Sequence, residues 1–411
     1  MKQIVRHFVD NDLYTFTVMY YILETYPRAE VKYSFFDRNH TKYPKGFGAM
    51  LQEQIDGMAD VILTDEEVAF MRSKLYFLPE WYFTFLKGYR FNPSQVHIHQ
   101  DQSGYLSIMI EGPWYSTVMW EMPILSTISE LMHIINGDVE NVDLKAEYER
   151  AYAKGIKAFS NGLVLSDMGT RRRFSFEVQE TVIRALKDAY NDCMANGICS
   201  GKFVGTSNVW FAKEFNLTPI GTMSHQVIAA EECVSGVFEC NYNVMDKWSK
   251  CFDGDVGIYL YDTFSDVMFL NNFSKRLAKT YDGLRVDSGD EKEQTEKLIK
   301  KYQDLKINPA SKSIVYSNAL TIDKAIELHK WLNGRMMDSY GIGTHLCADV
   351  IDIRTGKPFA YSNIVIKLVG FRITEWREWQ DAIKLSNDEG KTLGNPEKCA
   401  YISKLIKNCK H

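Results

Sequence analysis

The 411-residue chain lacks several features that would place it quickly. No run of uncharged apolar residues approaches the ~20 that a membrane span needs. Residues 1–22 show no signal-peptide pattern, because Asp10 and Asp12 interrupt any apolar core and no Ala-x-Ala site follows. The eight cysteines include no C-x-x-C pair and form no compact framework, so they read as reduced, mostly buried small hydrophobes. Together these absences predict a soluble cytoplasmic protein. Basic residues are not in excess either: 48 Lys+Arg against 53 Asp+Glu give a formal charge of −5. That balance argues against a nucleic-acid coat or a membrane-surface protein, though not against small anionic ligands, which a few placed donors can hold. His97 and His99 are the one close histidine pair, on what reads as the solvated face of a strand, and a metal role there is disfavoured. No G-x-G-x-x-G is present.

What is present falls into three textures. Up to residue 145, helical and antiparallel-strand patterns mix. Phe16, Met19, Tyr20 and Leu23 follow the potential caps Asn11 and Asp12 at helical spacing. Ala29–Arg38 reads as a strand, Gln95–Gln100 with Tyr105–Ile110 as a hairpin, and a long apolar helix is expected to bend or break near Pro123. Between 146 and 349 one grammar repeats seven times: a short apolar run, a small polar or glycine-bearing cluster, then usually a helical pattern. The runs are Gly162–Leu165, Lys202–Val204, Leu217–Ile220, Gly257–Tyr261, Gly283–Val286, Ser313–Tyr316 and Arg335–Met337. Seven such units predict parallel strands with helical crossovers, and the missing dinucleotide fingerprint favours a barrel over an open sheet. From 350 to 411 strand patterns return, with Val350–Arg354 and Phe359–Tyr361 around the turn Thr355-Gly356-Lys357, then Ile364–Val369. The expected architecture is an irregular α/β barrel over 146–349 beside a discontinuous α+β domain built from 1–145 and 350–411.

In parallel barrels the chemistry sits on the loops after the strands, and those loops carry the informative residues here. Asp167-Met168-Gly169-Thr170-Arg171-Arg172-Arg173 sets three forked donors at a strand-to-helix junction, a pattern suited to carboxylate or phosphate. The alternative, a solvated helix start, puts cations against the helix dipole. Ser339-Tyr340-Gly341-Ile342-Gly343-Thr344 reads either as a phosphate cradle or as a simple turn. In Arg285-Val286-Asp287-Ser288-Gly289-Asp290, Arg285 and Asp287 share one side of a strand end, and Asp287 suits ribose hydroxyls or a Mg²⁺ aqua ion. Ser288 with Glu291 also fits a capping box. His225 follows a strand within a small polar context, with Asp262 after the next strand, so it reads either as a core histidine or as a nucleophile oriented by a carboxylate.

Taken in order, Asp10–Tyr14, Glu111-Gly112-Pro113-Trp114, Asp167–Arg173, Gly205-Thr206-Ser207-Asn208, His225, Arg285–Asp290, Tyr340–Thr344 and Ile364–Val369 resemble the nicotinate phosphoribosyltransferase family over nearly the whole chain. The resemblance implies transfer of a 5-phosphoribosyl group from its 1-pyrophosphate to nicotinate, with Mg²⁺ carried on the substrate phosphates through unknown protein ligands. It also implies ATP as co-substrate, a transient phosphohistidine at His225 oriented by Asp262, and a cytoplasmic homodimer with shared active sites. By the same resemblance Arg171 and Ser207 contact the nicotinate carboxylate, and Tyr14 stacks on the ring from a partner subunit. Arg285 and Asp287 hold the ribosyl part, Gly341 and Gly343 hold the 5′-phosphate, and Thr206, Ser288, Gly289, Ser317 and Thr344 complete the loops. Two positions depart from the pattern: Met168 where phenylalanine is common and Asn318 where Asp is common. Relatives that use nicotinamide carry an acid at the Ser207 position, which would repel a carboxylate, whereas a serine hydroxyl can donate to one. A quinolinate enzyme, a phosphosugar lyase or isomerase and a binding module are the rival readings; no barrel lysine suits a Schiff base.

Overall fold

Alternation of buried Val31, Tyr33 and Phe35 with half-exposed neighbours makes Glu30–Asp37 (β1) the centre of an antiparallel sheet. In the computed structural model, which describes residues 2–385 and 392–409, β1 is flanked by Leu106–Pro113 (β3) and by Ile364–Arg372 (β11). Val96–Gln100 (β2) extends the sheet beyond β3, and Gln380–Asp381 (β12) beyond β11. Both ends of the chain therefore share one sheet.

The second sheet is parallel and curled, with strands Val164–Asp167 (β4), Lys202–Thr206 (β5), Thr218–Pro219 (β6), Ile258–Leu260 (β7), Gly283–Val286 (β8), Ser313–Tyr316 (β9) and Met337–Ile342 (β10). Their order is β6-β5-β4-β10-β9-β8-β7. Among the described residues no ladder joins β6 to β7. Across that seam the Thr222 hydroxyl donates to the Ile258 carbonyl at 2.8 Å. The mixed α/β class and the seven parallel strands expected from the repeat are both present.

Caps stand directly after the strands: Asn208, Asp290 and Thr321 each accept from the helical N–H three residues on, and Ser175 does so for the helix after β4. The sheet's C-terminal edge is thus polar because the helices must start there. The helix Glu121–Ile135, nearly all buried, lies against β11 and the turn Thr170–Arg172, and so brings the antiparallel unit up to that edge.

Several local expectations are corrected. β10 runs through Ser339-Tyr340-Gly341-Ile342, so Gly341 lies in a strand and not in a cradle loop. Residues 350–361 form no paired strands; one isolated bridge joins Ile351 to Pro358. The break in the apolar helix falls at Val118–Trp120, and Pro123 sits in the next first turn, where its missing N–H costs nothing. Asp290, not Ser288, caps the helix Glu291–Asp304. Asp12 precedes the helix Leu13–Thr25 without capping it, its side chain being used elsewhere.

Candidate active site

A cavity of about 410 Å³ opens at the C-terminal edge of the parallel sheet, roofed by β11 and by the N-terminal segment. Of the expected site residues, Tyr14, Met168, Arg171, Ser207, His225, Arg285, Asp287, Ser317, Asn318, Gly341, Gly343 and Thr344 line it. Asp262, Thr206, Ser288 and Gly289 do not; they lie behind the wall. Ser288 donates to Asp262, and Thr206 donates to Asp167 at 2.7 Å. Gly289 makes the left-handed turn, φ 80°, that leads into the Asp290 cap.

His225 opens the helix after β6. Its Nδ1 lies 2.9 Å from Thr263 Oγ1, while Nε2 faces Lys384 Nζ at 2.9 Å and Asp287 Oδ2 at 3.3 Å. Burial, then the Lys384 charge, holds the ring well below its ordinary pKa. A neutral ring whose Nε2 lone pair meets Lys384 carries its proton on Nδ1, toward Thr263. Nε2 is then the nucleophilic nitrogen on the cavity side. The expected Asp262 partner is 4.0 Å away, outside hydrogen-bond range, so Thr263 takes the orienting position. Desolvation opposes ionisation of Asp287, but the Arg285 and Lys384 charges hold it well below the usual carboxylate range. Ser317 donates to its other oxygen at 2.7 Å. One ligand atom each from His225, Asp262 and Asp287 lie within 4.8 Å of one another, and Asp262 Oδ1 is buried without a hydrogen-bond partner. The two carboxylates of that set fit a hard divalent cation, which takes oxygen ligands.

At the opposite end, Glu121 gathers three groups: the Tyr14 hydroxyl donates to it at 2.6 Å, Arg171 stands 3.6 Å away and Lys367 3.9 Å. Tyr14 also lines the cavity of its own chain. Ser207 donates to Asp12 Oδ1 at 2.8 Å, and burial pushes Asp12 up to about 6. The serine hydroxyl expected to face a substrate carboxylate is therefore already committed, and an acid stands beside it after all.

The arginine triplet divides. Arg171 and Arg172 line the cavity, but Arg173 is fully buried in a two-pronged pair with Asp10 at 2.7 and 2.9 Å. Gly341, in β10, and Gly343, just after it, also have a different reason from the one expected. A Cβ at Gly341 would meet Met168 Sδ at 2.3 Å, and one at Gly343 would meet the Met168 carbonyl oxygen at 2.5 Å. They make room for the β4 loop, although both still border the cavity.

Sequence reasoning passed over Arg38, Glu121, Lys367 and Lys384, all of which line the cavity. Lys367 had left a signal, a lone charge inside the apolar run Ile364–Val369. Arg38, at the end of the first strand, left none beyond its position. His97 and His99 are exposed on β2, away from the cavity, on the solvated face expected of them.

A curled parallel sheet carrying an arginine- and lysine-rich pocket at its C-terminal edge, beside a buried neutral histidine, defines a barrel enzyme for anionic substrates. Residues 9–129 match the nicotinate phosphoribosyltransferase N-terminal domain and 163–408 the nicotinate phosphoribosyltransferase family. Similar curated proteins include the nicotinate phosphoribosyltransferases of Desulforapulum autotrophicum, 37% identical over 98% of this chain and 99% of that one, and of Chromohalobacter salexigens, 33% identical over 97% of each. The Porphyromonas gingivalis nicotinate phosphoribosyltransferase structure superposes with a TM-score of 0.92 at 36% identity, over 98% of this chain and 100% of that one. A putative nicotinate phosphoribosyltransferase structure from Saccharomyces cerevisiae gives 0.91 at 29% identity, over 99% of each. The chain belongs to the nicotinate phosphoribosyltransferase family.

Proposed function

We propose that the chain joins nicotinate to 5-phosphoribosyl 1-pyrophosphate, giving nicotinate mononucleotide and pyrophosphate in pyridine-nucleotide salvage, coupled to ATP through transient phosphorylation of His225. The observation that carries this reading is the meeting in one cavity of Arg171, of Arg285 with Asp287, and of the Gly343–Thr344 turn. Arg171 and Tyr14 receive the pyridine carboxylate and ring. Arg285 and Asp287 hold the ribosyl part, and the turn and the short helix behind it take the 5′-phosphate. The transfer passes through an oxocarbenium-like state, so the protein's part is alignment of the pyridine nitrogen with ribose C1 and stabilisation of charge. The ionised Asp287, at the ribosyl end, suits the positive charge that develops on the ring.

Mg²⁺, when bound, neutralises the departing pyrophosphate; Asp287 and Asp262 are the residues suited to hold it. The phosphoryl step is supported by the neutral His225 ring, with Nδ1 fixed by Thr263 and Nε2 turned to the cavity side, where Lys384 meets it. No described helix is long and apolar enough to cross a membrane.

Product analysis tests the reading: nicotinate, nicotinamide and quinolinate, each with phosphoribosyl pyrophosphate and Mg²⁺, with and without ATP. Nucleotide from nicotinate, raised by ATP, is the expected outcome; none from nicotinate refutes the assignment. His225→Ala abolishes ATP hydrolysis and leaves a slower, uncoupled transfer. Retained hydrolysis in that variant places the phosphoryl acceptor elsewhere.

A further inference from the structure

Asp167, the last residue of β4, is fully buried, and among the described residues it has no cationic partner. Four donors satisfy it instead. Oδ2 accepts from Thr206 Oγ1 at 2.7 Å and Gln179 Nε2 at 3.1 Å; Oδ1 accepts from the Gly169 N–H at 3.0 Å and Cys347 Sγ at 3.2 Å. Its carbonyl accepts the Ser207 N–H at 2.8 Å. These donors come from different ends of the cavity. Gly169 belongs to the loop that carries Met168 and Arg171, and Thr206 adjoins Ser207. Cys347 closes the short helix Thr344–Cys347 behind the Gly343 turn.

Further contacts lock the same two loops. The Met168 N–H donates to the Ile342 carbonyl at 2.9 Å and the Phe174 N–H to the Cys347 carbonyl at 2.8 Å. A Cβ at Gly169 would stand 2.5 Å from the thiol. Burial and the neighbouring carboxylate both push the Cys347 pKa well up, so the sulfur keeps its proton and donates.

We infer that Asp167 and Cys347 are positioning residues, a carboxylate–thiol tie that couples the pyridine-binding loop after β4 to the phosphate-binding turn after β10. The inference rests on the proposed function for what the two loops bind. Ordering of the phosphate turn is transmitted through Cys347 to Asp167, and from there to Gly169 and Ser207, so occupation of one end preorganises the other. Neither residue lines the cavity, and neither touches a reacting atom.

The test measures nicotinate affinity by calorimetry without and with saturating ribose 5-phosphate, which supplies the 5′-phosphate but no leaving group. Wild type is expected to bind nicotinate about fivefold more tightly in the presence of the sugar phosphate, the low end of ordinary coupling. Cys347→Ala brings that ratio near one. Cys347→Ser, which restores a donor to Asp167, retains most of it. Asp167→Asn, which replaces one acceptor oxygen by a donor facing other donors, abolishes it, and the cysteine pair carries the test if that variant fails to fold. A loss confined to melting temperature, with the Cys347→Ala ratio equal to wild type, overturns the inference, as does a wild-type ratio of one. Nucleotide formation by wild type, assayed in parallel, separates the two failures. An active enzyme without coupling refutes the tie alone, whereas an enzyme that neither binds nicotinate nor forms nucleotide refutes both.

Discussion

At pH 8, binding of nicotinate should draw nearly one proton from solution, and Lys367 is where it goes. The Lys367 side chain, only 18% exposed on β11, reaches the cavity wall. Its nearest carboxylate, Glu121, is 3.9 Å away and shared with Arg171 and Tyr14. Burial first, then the Arg171 and Lys384 charges, lower its pKa from the ordinary 10.5 to about 7, against the pull of Glu121 and Asp287. At pH 8 only about a tenth of the ammonium form survives in the empty cavity. A carboxylate within ~4–6 Å raises a lysine by about 1–3 units, which restores most of the charge. Uptake of about 0.8 proton follows at pH 8, where the ligand's own carboxylate is fully ionised. At pH 6 Lys367 is already about nine-tenths protonated, and its share of the uptake falls to about 0.1. Calorimetric titration in buffers of different ionisation enthalpy measures the number directly, with Lys367→Met as the subtraction. Equal uptake by wild type and Lys367→Met at pH 8 refutes the assignment. The same shift sets a stability trend in the ligand-free protein. Between pH 7 and 10.5 the unfolded chain holds more protons at this residue, so the penalty it imposes is full below pH 7 and disappears as pH rises toward 10.5.

Arg173→Met should destabilise the fold by ~3–5 kcal/mol, because it strands the fully buried Asp10 carboxylate. Arg171→Met, two residues earlier, should leave the denaturation midpoint nearly unchanged and lower kcat/KM for nicotinate; equal midpoint losses would refute the division of the triplet. Gly341→Ala forces Met168 Sδ aside from 2.3 Å, and it should raise the nicotinate KM roughly tenfold with little change in melting temperature. Adding Met168→Ala should recover the melting temperature of any destabilised Gly341→Ala protein without restoring KM. An unchanged KM in Gly341→Ala would show that Met168 does not set the ring position.

The seven strands were legible because each is a short apolar run that ends in a small polar cluster, and four of the helices that follow begin on a local side-chain cap, at Ser175, Asn208, Asp290 and Thr321. The pairing of β1 with β11 left a coarser trace, strand-like patterns at both ends of the chain. What the sequence could not show was which group fills a space or answers a charge across a long interval. Gly341 and Gly343 say that something comes close; only the fold says that it is Met168. Arg171 and Arg173 look alike in sequence, and the residue that separates their fates, Asp10, lies 163 positions from Arg173. Ser207 was read as a free donor because Asp12, 195 residues away, is invisible from its neighbours.

Charge shows the same division at the scale of the molecule. The whole chain is formally −5, yet the cavity wall carries Arg38, Arg171, Arg172, Arg285, Lys367 and Lys384 against the carboxylates Asp12, Glu121 and Asp287. Several of those cations are costly where they stand. Burial with neighbouring guanidinium charges lowers Arg172 to about 10 and lowers Arg38, and Lys367 falls to about 7. Arg172 Nε is buried without a hydrogen-bond partner. In the empty site these groups repel one another at low local dielectric, and an anion that enters relieves the repulsion as well as adding its own attraction. Part of the affinity for polyphosphorylated ligands is thus stored in the protein before they bind. The burial that excludes water also keeps this field from bulk salt, so affinity for pyrophosphate should fall less steeply with ionic strength than a surface site of equal charge would require.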